Sequence, residues 1–448
     1  MNKELIQSIE VTGKIINNWL PLKIQYDHTP GTVVCIAVNG TAKYLKSFGF
    51  SDTEKKIEMN VNAQFRIASM SKMFTAVAIL QLQEKGKLRL DDMVIEYISW
   101  FKGKNMKTDL SNVTIRQLLS HSSGIFRDGA EQQWVDDMFP MKLDKAVSPK
   151  TIVFDNGTTM KYSNYGYALL GLIIEKVSGT SYEKYVTEEI ITPLKLKNTL
   201  PDLPNEIPKE LARGYKRWTP DLIIRELEPN IKANSYASAT GFISTAKDLA
   251  LFLSSLHPDA KKSVLGRESR KTMQQVQSII DNNQMYGLGL SLENISGQQT
   301  YGHGGGFAGY VTKAITHKKD NMQVIVLTNT QSRTAGVVSS SILKLIYTLK
   351  GMDATRYIKD DPYSGIYRNR WVDWVHILIG DSLIGFSASE NSPVDTCTMY
   401  TKKKEHTYIN GEGAGFGDAG EHIIFKDIQN GKAQNIKSDG GDMRRIDF

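Results

Sequence analysis

The chain has few of the features that announce a specialised class of protein. Only two cysteines occur in 448 residues, Cys35 and Cys397. They lie far apart and match no disulfide or Cys/His metal spacing, so both are expected to be packed or idle thiols. No apolar run approaches the length needed to cross a bilayer. The opening segment MNKELIQSIEVTGKIINNWL lacks the unbroken apolar core and small-residue cleavage site of a secretory signal. A cytoplasmic protein with no membrane span is the expectation. Blocks of like charge are missing too: the net charge is +7, yet the longest purely basic run is Lys402–Lys404. That run reads as a solvated turn, which argues against nucleic acid as a partner. No repeat or low-complexity tract is evident.

What is present is an ordinary globular composition, 40% hydrophobic and 23% charged, in a chain long enough for two or three cores. Leu5, Ile9, Ile16 and Leu20 predict a first helix with one buried face. TVVCIAV and YLKSFGF flank Asn39-Gly40 as the two strands of a hairpin. From Ser69 to about residue 280 the texture is mainly helical, and strand patterns return at YGLGLSL, GYVTKAITH and MQVIVLTNT, followed by a helix over 335–349. Strands at both ends of residues 1–350 are thus expected to share one sheet, with a helical insertion over about 80–280. Residues 351–364 read as a linker. Beyond it, Gly380-Asp381 and Asn430-Gly431 punctuate alternating runs such as VHILI and EHIIFKDI, so 365–448 is expected to be a small antiparallel β domain, a barrel or sandwich.

Three short motifs carry chemistry. S-x-x-K on a helix sets an amine one turn from a hydroxyl, and the spacing begins at Ser69, Ser99, Ser181, Ser244 and Ser341. Thr180–Glu183 and Thr245–Asp248 read as helix caps, which accounts for two of the five; Ser99 and Ser341 have packing roles. Ser69 stands apart because it follows the strand-like QFRIA and opens a helix. There the helix dipole and free N–H groups favour negative charge on oxygen and depress the pKa of Lys72. Tyr162 and Asn164 form a Y-x-N triplet before the helix GYALLGLIIEKVSG; the copies at Tyr367 and Tyr408 lie in the β domain. His303 heads the run Gly304, Gly305, Gly306, whose N–H groups beside a strand suit an oxyanion. Gly415, Gly417 and Gly420 formally spell G-x-G-x-x-G, but the strand-like EHIIF that follows excludes a dinucleotide site.

Taken in order, Ser69-x-x-Lys72, Tyr162-x-Asn164 and His303-Gly304-Gly305, with LLSHSSGI, GYALLGLIIEKVSGTSYEKYV, ITPLKLKNT and ISTAKDLALFL around them, resemble the serine beta-lactamase-related, penicillin-binding-protein-like hydrolases over about residues 30–350. The resemblance is to the class C beta-lactamase-like branch with its D-aminopeptidases, esterases and compartmentalising peptidases. It implies an α/β fold, an antiparallel sheet flanked by helices with an all-helical insertion, and a lipocalin-like C-terminal β-barrel. It implies acyl transfer without cofactor or metal: Ser69 attacks, Lys72 and Tyr162 handle its proton, Asn164 orients Lys72 and the substrate, and the N–H groups of Ser69 and Gly306 hold the oxyanion. His121, within LLSHSSG, is expected to stabilise its loop. Beta-lactamases and D-alanyl-D-alanine carboxypeptidases usually have lysine where this chain has His303, so the implied substrates are small esters or short peptides, and a homo-oligomer is possible as among the compartmentalising peptidases. The intact motifs favour an enzyme over a non-catalytic ligand-binding or sensor protein.

Overall fold

The computed structural model describes residues 3–103, 109–128, 139–143, 151–220, 225–351, 361–411, 419–439 and 441–447. By packing the chain forms two units, residues 30–336 and residues 1–29 with 337–448.

In the first unit the apolar strands Gly31–Val38 and Met322–Thr328 are buried throughout and pair antiparallel, Val34 opposite Val326. Continuous apolar runs of this kind belong in the middle of a covered sheet. Nine strands follow the order Ile57–Glu58, Thr41–Asp52, Gly31–Val38, Met322–Thr328, Tyr310–His317, Gln298–Phe307, Ser291–Ile295, Gln284–Tyr286, Ser278–Ile279, all antiparallel. The ends of the unit thus meet at the sheet centre, as the sequence pattern requires. Asn39 and Gly40 join the first hairpin with φ of +51° and +73°, the two positive values of a type I′ turn. YGLGLSL departs from the single strand expected of it. Gly287 N–H bonds to the Leu290 carbonyl, so a turn divides it between Gln284–Tyr286 and Ser291–Ile295.

Between these strands lie the helices. Ser71–Glu84 is buried from Ser71 to Leu82 and is apolar around most of its circumference, the signature of a central helix. Asn164–Ser178 is capped by Ser163, whose hydroxyl accepts the Gly166 N–H, and stops at Gly179 in the left-handed conformation. Ala246–Ser255 is capped by Thr245.

The second unit holds a closed barrel of eight strands, from Gly365–Arg368 to Met443–Ile446, each paired with the next and the last with the first, Ile366 opposite Ile446. Its interior is filled by Tyr367, Leu378, Leu383, Tyr400, Tyr408 and Phe425. A methyl on Gly385 would come within 2.9 Å of both the His376 and Tyr400 rings, so the barrel is a packed core rather than a cup. The first helix, Lys3–Tyr26, buries Leu5, Ile9, Ile16 and Leu20 as its pattern predicted and belongs to this unit. The Trp19 indole donates to the Glu390 carbonyl, Lys23 to Asn391 and Tyr26 to Asp373. Of the expected linker, residues 352–360 lie outside the described residues, as do Gly415 and Gly417.

Asp361 ties this unit together. Its buried carboxylate accepts Lys14 Nζ at 2.5 Å and the N–H groups of Tyr363 and Ser364 at 2.9 and 2.6 Å. Burial pushes its pKa up, but Lys14 and the Ser364 donors outweigh this and hold it below the usual 3.8. A depressed folded pKa contributes stability that is complete above 3.8 and is lost as pH falls below it. Asp361→Ala is expected to cost about 3–5 kcal/mol at pH 7, since it removes the buried acceptor shared by Lys14 Nζ and two buried N–H groups. Urea unfolding followed by tryptophan fluorescence measures the change, and a loss under about 1 kcal/mol would contradict this account.

Candidate active site

Ser69 owes its place to strand pairing just before it. Phe65–Arg66 pairs with Ile243–Ser244, and the Ile67 N–H donates to the Phe242 carbonyl at 2.9 Å. The chain then turns sharply at Ala68, φ +50°, through the 3-10 turn Ala68–Met70 into the helix Ser71–Glu84. Ser71 locks this turn: its hydroxyl accepts the Phe242 N–H at 3.0 Å and donates to the Ala68 carbonyl. Ala68 and Met70 are buried while Ser69 is partly exposed. Ser69 therefore stands at a helix start, only partly covered.

One turn on, Lys72 is fully buried. Its Nζ lies 3.2 Å from Ser69 Oγ, 2.7 Å from Asn164 Oδ1 and 2.8 Å from the carbonyl of Ala239, in the π-helical turn Ala237–Gly241. No carboxylate is among these contacts. Burial drives its pKa well below the ordinary 10.5, opposed by Asp128 and assisted by Arg127.

Asn164, the first residue of its helix, passes this contact outward: its Nδ2 donates to Asp128 Oδ1 at 2.5 Å, and Asp128 pairs with Arg127 at 3.2 Å. The Tyr162 ring lies 4.8 Å from Lys72 Nζ, and its phenol is near enough to Ser69 for that side chain to act on its pKa. Burial raises the phenol pKa above its ordinary value of 10, against the lowering influence of Ser69. His121, as expected, braces its loop: its Nδ1 accepts the Ser163 N–H at 3.1 Å.

His303 lies on the strand Gln298–Phe307, buried. Its Nδ1–H donates to the Gly304 carbonyl, which leaves Nε2 to accept the Tyr286 hydroxyl at 2.9 Å. Burial first, then the charge of Lys72, pushes its pKa down to about 3. Both ring nitrogens are thus engaged within the protein and the ring is neutral. Pairing with Ser291–Ile295 ends at Gly302, so the backbone from His303 to Phe307 keeps an edge free beside the Ser69 turn. A β-carbon at Gly305 would meet the Ile67 carbonyl at 2.2 Å and Thr312 Oγ1 at 2.6 Å; at Gly304 the nearest atom is at 3.6 Å, and at Gly306 none lies within 4 Å.

Ser69, Lys72, Tyr162 and Asn164 are therefore gathered at one point, with the His303–Gly306 strand held against the Ser69 turn by the approach of Gly305. The competing S-x-x-K serines are spent elsewhere. Ser181 itself, rather than Thr180, caps its helix by accepting the Lys184 N–H. Ser244 shares a hydrogen bond with Thr199 and Ser341 donates to main-chain carbonyls; Ser99 is exposed in a turn rather than packed as expected. Tyr367 and Tyr408 are barrel core. Three participants carried no sequence signal: Arg127 and Asp128 follow an unremarkable loop, and Tyr286 reads as a strand residue.

A family model described as Beta-lactamase matches residues 23–345. Protein flp of Staphylococcus aureus (strain MW2) is 29% identical over 313 residues, covering 69% of this chain and only 61% of that relative. Among solved structures, a D-stereospecific amidohydrolase from Streptomyces sp. superposes with a TM-score of 0.62 at 26% identity, over 73% of this chain and 96% of that one. The octameric penicillin-binding protein homologue from Pyrococcus abyssi does so at 0.63 and 22% identity, over 94% and 97%, which extends the shared fold through the barrel.

The glycines of the His303 strand give a direct test of this packing. Gly305→Ala is expected to lower stability by about 2–3 kcal/mol, because backbone must move to admit the methyl, whereas Gly306→Ala should change it by no more than about 0.5 kcal/mol. Denaturant midpoints of the two variants decide, and equal effects would contradict the close approach at Gly305.

Proposed function

The chain belongs to the beta-lactamase family, and from that membership we propose that it is a serine hydrolase cleaving ester or amide bonds of small or short-peptide substrates through an acyl-enzyme on Ser69. The observation that carries the reading is the setting of Lys72. A neutral amine has two N–H groups and one lone pair; the carbonyl oxygens of Asn164 and Ala239 take the two N–H groups, and the lone pair remains for the Ser69 hydroxyl.

In the first half-reaction the Ser69 proton passes to Lys72 as Oγ bonds to the substrate carbonyl carbon. The N–H groups of Ser69 and Gly306 receive the oxyanion. Tyr162, kept protonated by its raised pKa, hands a proton to the departing oxygen or nitrogen and regains one from Lys72 as the substrate bond breaks. Water then adds to the ester, gives its proton to the same pair, and the acid leaves with Ser69 restored. No step calls on a metal or cofactor. A homo-oligomer in the cytoplasm is part of the same proposal.

The substrate class follows from charge. With both ring nitrogens engaged and a pKa near 3, His303 supplies no cation for a carboxylate, which favours neutral substrates, and the Streptomyces amidohydrolase supports amides among them. One observation favours a second reading, a beta-lactamase or D-alanyl-D-alanine carboxypeptidase: the Arg127 guanidinium, 62% exposed, stands 5.9 Å from the Tyr162 ring, although Asp128 offsets its charge. Arg127→Gln separates the two. Under the first reading kcat/KM for a neutral ester and for a carboxylate-bearing analogue changes in parallel; a selective loss of about ten- to a hundredfold for the anion supports the second.

The nucleophile is tested with a fluorophosphonate, which is expected to label Ser69. Ser69→Ala should abolish labelling and lower turnover by at least about a thousandfold; labelling that persists in this variant would end the proposal. Acylation should also rise with pH along a limb whose midpoint lies well below the ordinary lysine value of 10.5, because only unprotonated Lys72 accepts the Ser69 proton. Lys72→Ala should remove that limb.

A further inference from the structure

One side chain takes no part in these steps, yet it surrounds a participant. His121 is fully buried. Its backbone carbonyl accepts the Lys161 N–H at 2.7 Å, its Nδ1 accepts the Ser163 N–H at 3.1 Å, and its ring lies 4.2 Å from that of Tyr162, centroid to centroid, tilted by 39°. His121 thus grips the chain immediately before and after Tyr162 and supports the phenol ring on its own face.

The position is held against local preference. With Nδ1 accepting, the proton sits on Nε2, and Nε2 has no hydrogen-bond partner among the described residues. Around it stand the rings of Tyr167 and Tyr286, at 5.1 and 4.8 Å from the His121 ring. The backbone is left-handed, φ +57°, a conformation that disfavours residues bearing a β-carbon. A buried donor without a partner and a strained backbone at one residue mark a site where geometry has been kept at the expense of stability.

We propose that His121 is the positioning residue for Tyr162, fixing the phenol oxygen beside Ser69 through two main-chain grips and one ring contact. The proposal rests on the reading of Tyr162 as the proton relay. Two variants dissect it. His121→Asn keeps a short acceptor for Ser163 and tolerates the left-handed backbone but removes the ring. His121→Phe keeps a ring and removes the acceptor.

The measurement is the rate of Ser69 phosphonylation and of p-nitrophenyl ester acylation, alone and combined with Tyr162→Phe. Each His121 variant is expected to slow acylation on the order of ten- to a hundredfold, as small misplacements of a reacting group do, while KM changes less than about threefold. Neither should slow Tyr162→Phe further, because a residue that acts through the phenol has nothing left to position. A merely structural role would add its loss to that of Tyr162→Phe. Additive losses, or unchanged rates in both His121 variants while Tyr162→Phe is slow, overturn the proposal and leave the hydrolase reading standing. An unchanged rate in Tyr162→Phe overturns the relay and this proposal together, and Ser69→Ala then reports on the nucleophile independently. If both His121 variants lose their fold, histidine 15N spectra of the unsubstituted protein decide: phosphonylation of Ser69 must shift the His121 ring resonances, and resonances that ignore it overturn the proposal.

Discussion

The site depends on one buried amine. Lys72 sits in an interior where an ammonium would forfeit its hydration, and no carboxylate touches it to make good the loss. The contacts it does have suit the neutral form. They come from three separate elements: the helix Ser71–Glu84 carries the lysine, the first residue of the helix Asn164–Ser178 supplies one carbonyl oxygen, and the turn Ala237–Gly241 supplies the other. Moving any one would leave the amine short of a partner or admit water. Tight packing among these elements is therefore a condition of the chemistry as well as of the fold.

Close packing also brings the His303 strand to the Ser69 turn. Gly305 lets its backbone approach the Ile67 carbonyl, and Ser71 and Phe242 fix the turn from the other side. The strand stops pairing with its neighbour at Gly302, so the main-chain groups beside Ser69 are left for something other than the sheet. A cleft wall whose main-chain groups lie outside the sheet pairing, next to a helix start, is a natural place for a substrate carbonyl.

Much of this was legible in the sequence because the informative features are local. Strand patterns and the Asn39-Gly40 and Asn430-Gly431 turns each concern neighbours along the chain, and they predicted the central strands and a C-terminal antiparallel β domain, while the barrel form and the joint role of Ser69, Lys72, Tyr162 and Asn164 came from the family resemblance of the motifs taken in order. What escaped is what depends on contact between distant segments. Asp128 matters only because Asn164 reaches it, and Tyr286 only because it donates to His303. The packing of the first helix with the barrel unit rests on contacts such as Trp19 with Glu390, which no periodicity encodes. Turns of four residues, such as the one that divides YGLGLSL, leave too little pattern to separate one strand from two.

Burial also explains why so polar a site is built almost wholly from neutral groups. A protonated His303 or His121 would stand close to Lys72 in a dry interior, and burial first, then repulsion from Lys72 whenever it carries a proton, pushes both imidazoles down. Tyr162 is held in its protonated form by the same desolvation. The charged pair beside it, Arg127 and Asp128, reaches solvent, and the two compensate one another. When Lys72 takes the Ser69 proton, ammonium and oxyanion arise together, so fixed dipoles and donors meet charges that were absent before the reaction began. A permanent cation nearby would disfavour the protonated lysine, and a permanent anion would compete with the oxyanion for donors. A neutral interior with its charges at the rim avoids both, and lets the interactions of the site strengthen as the reaction proceeds.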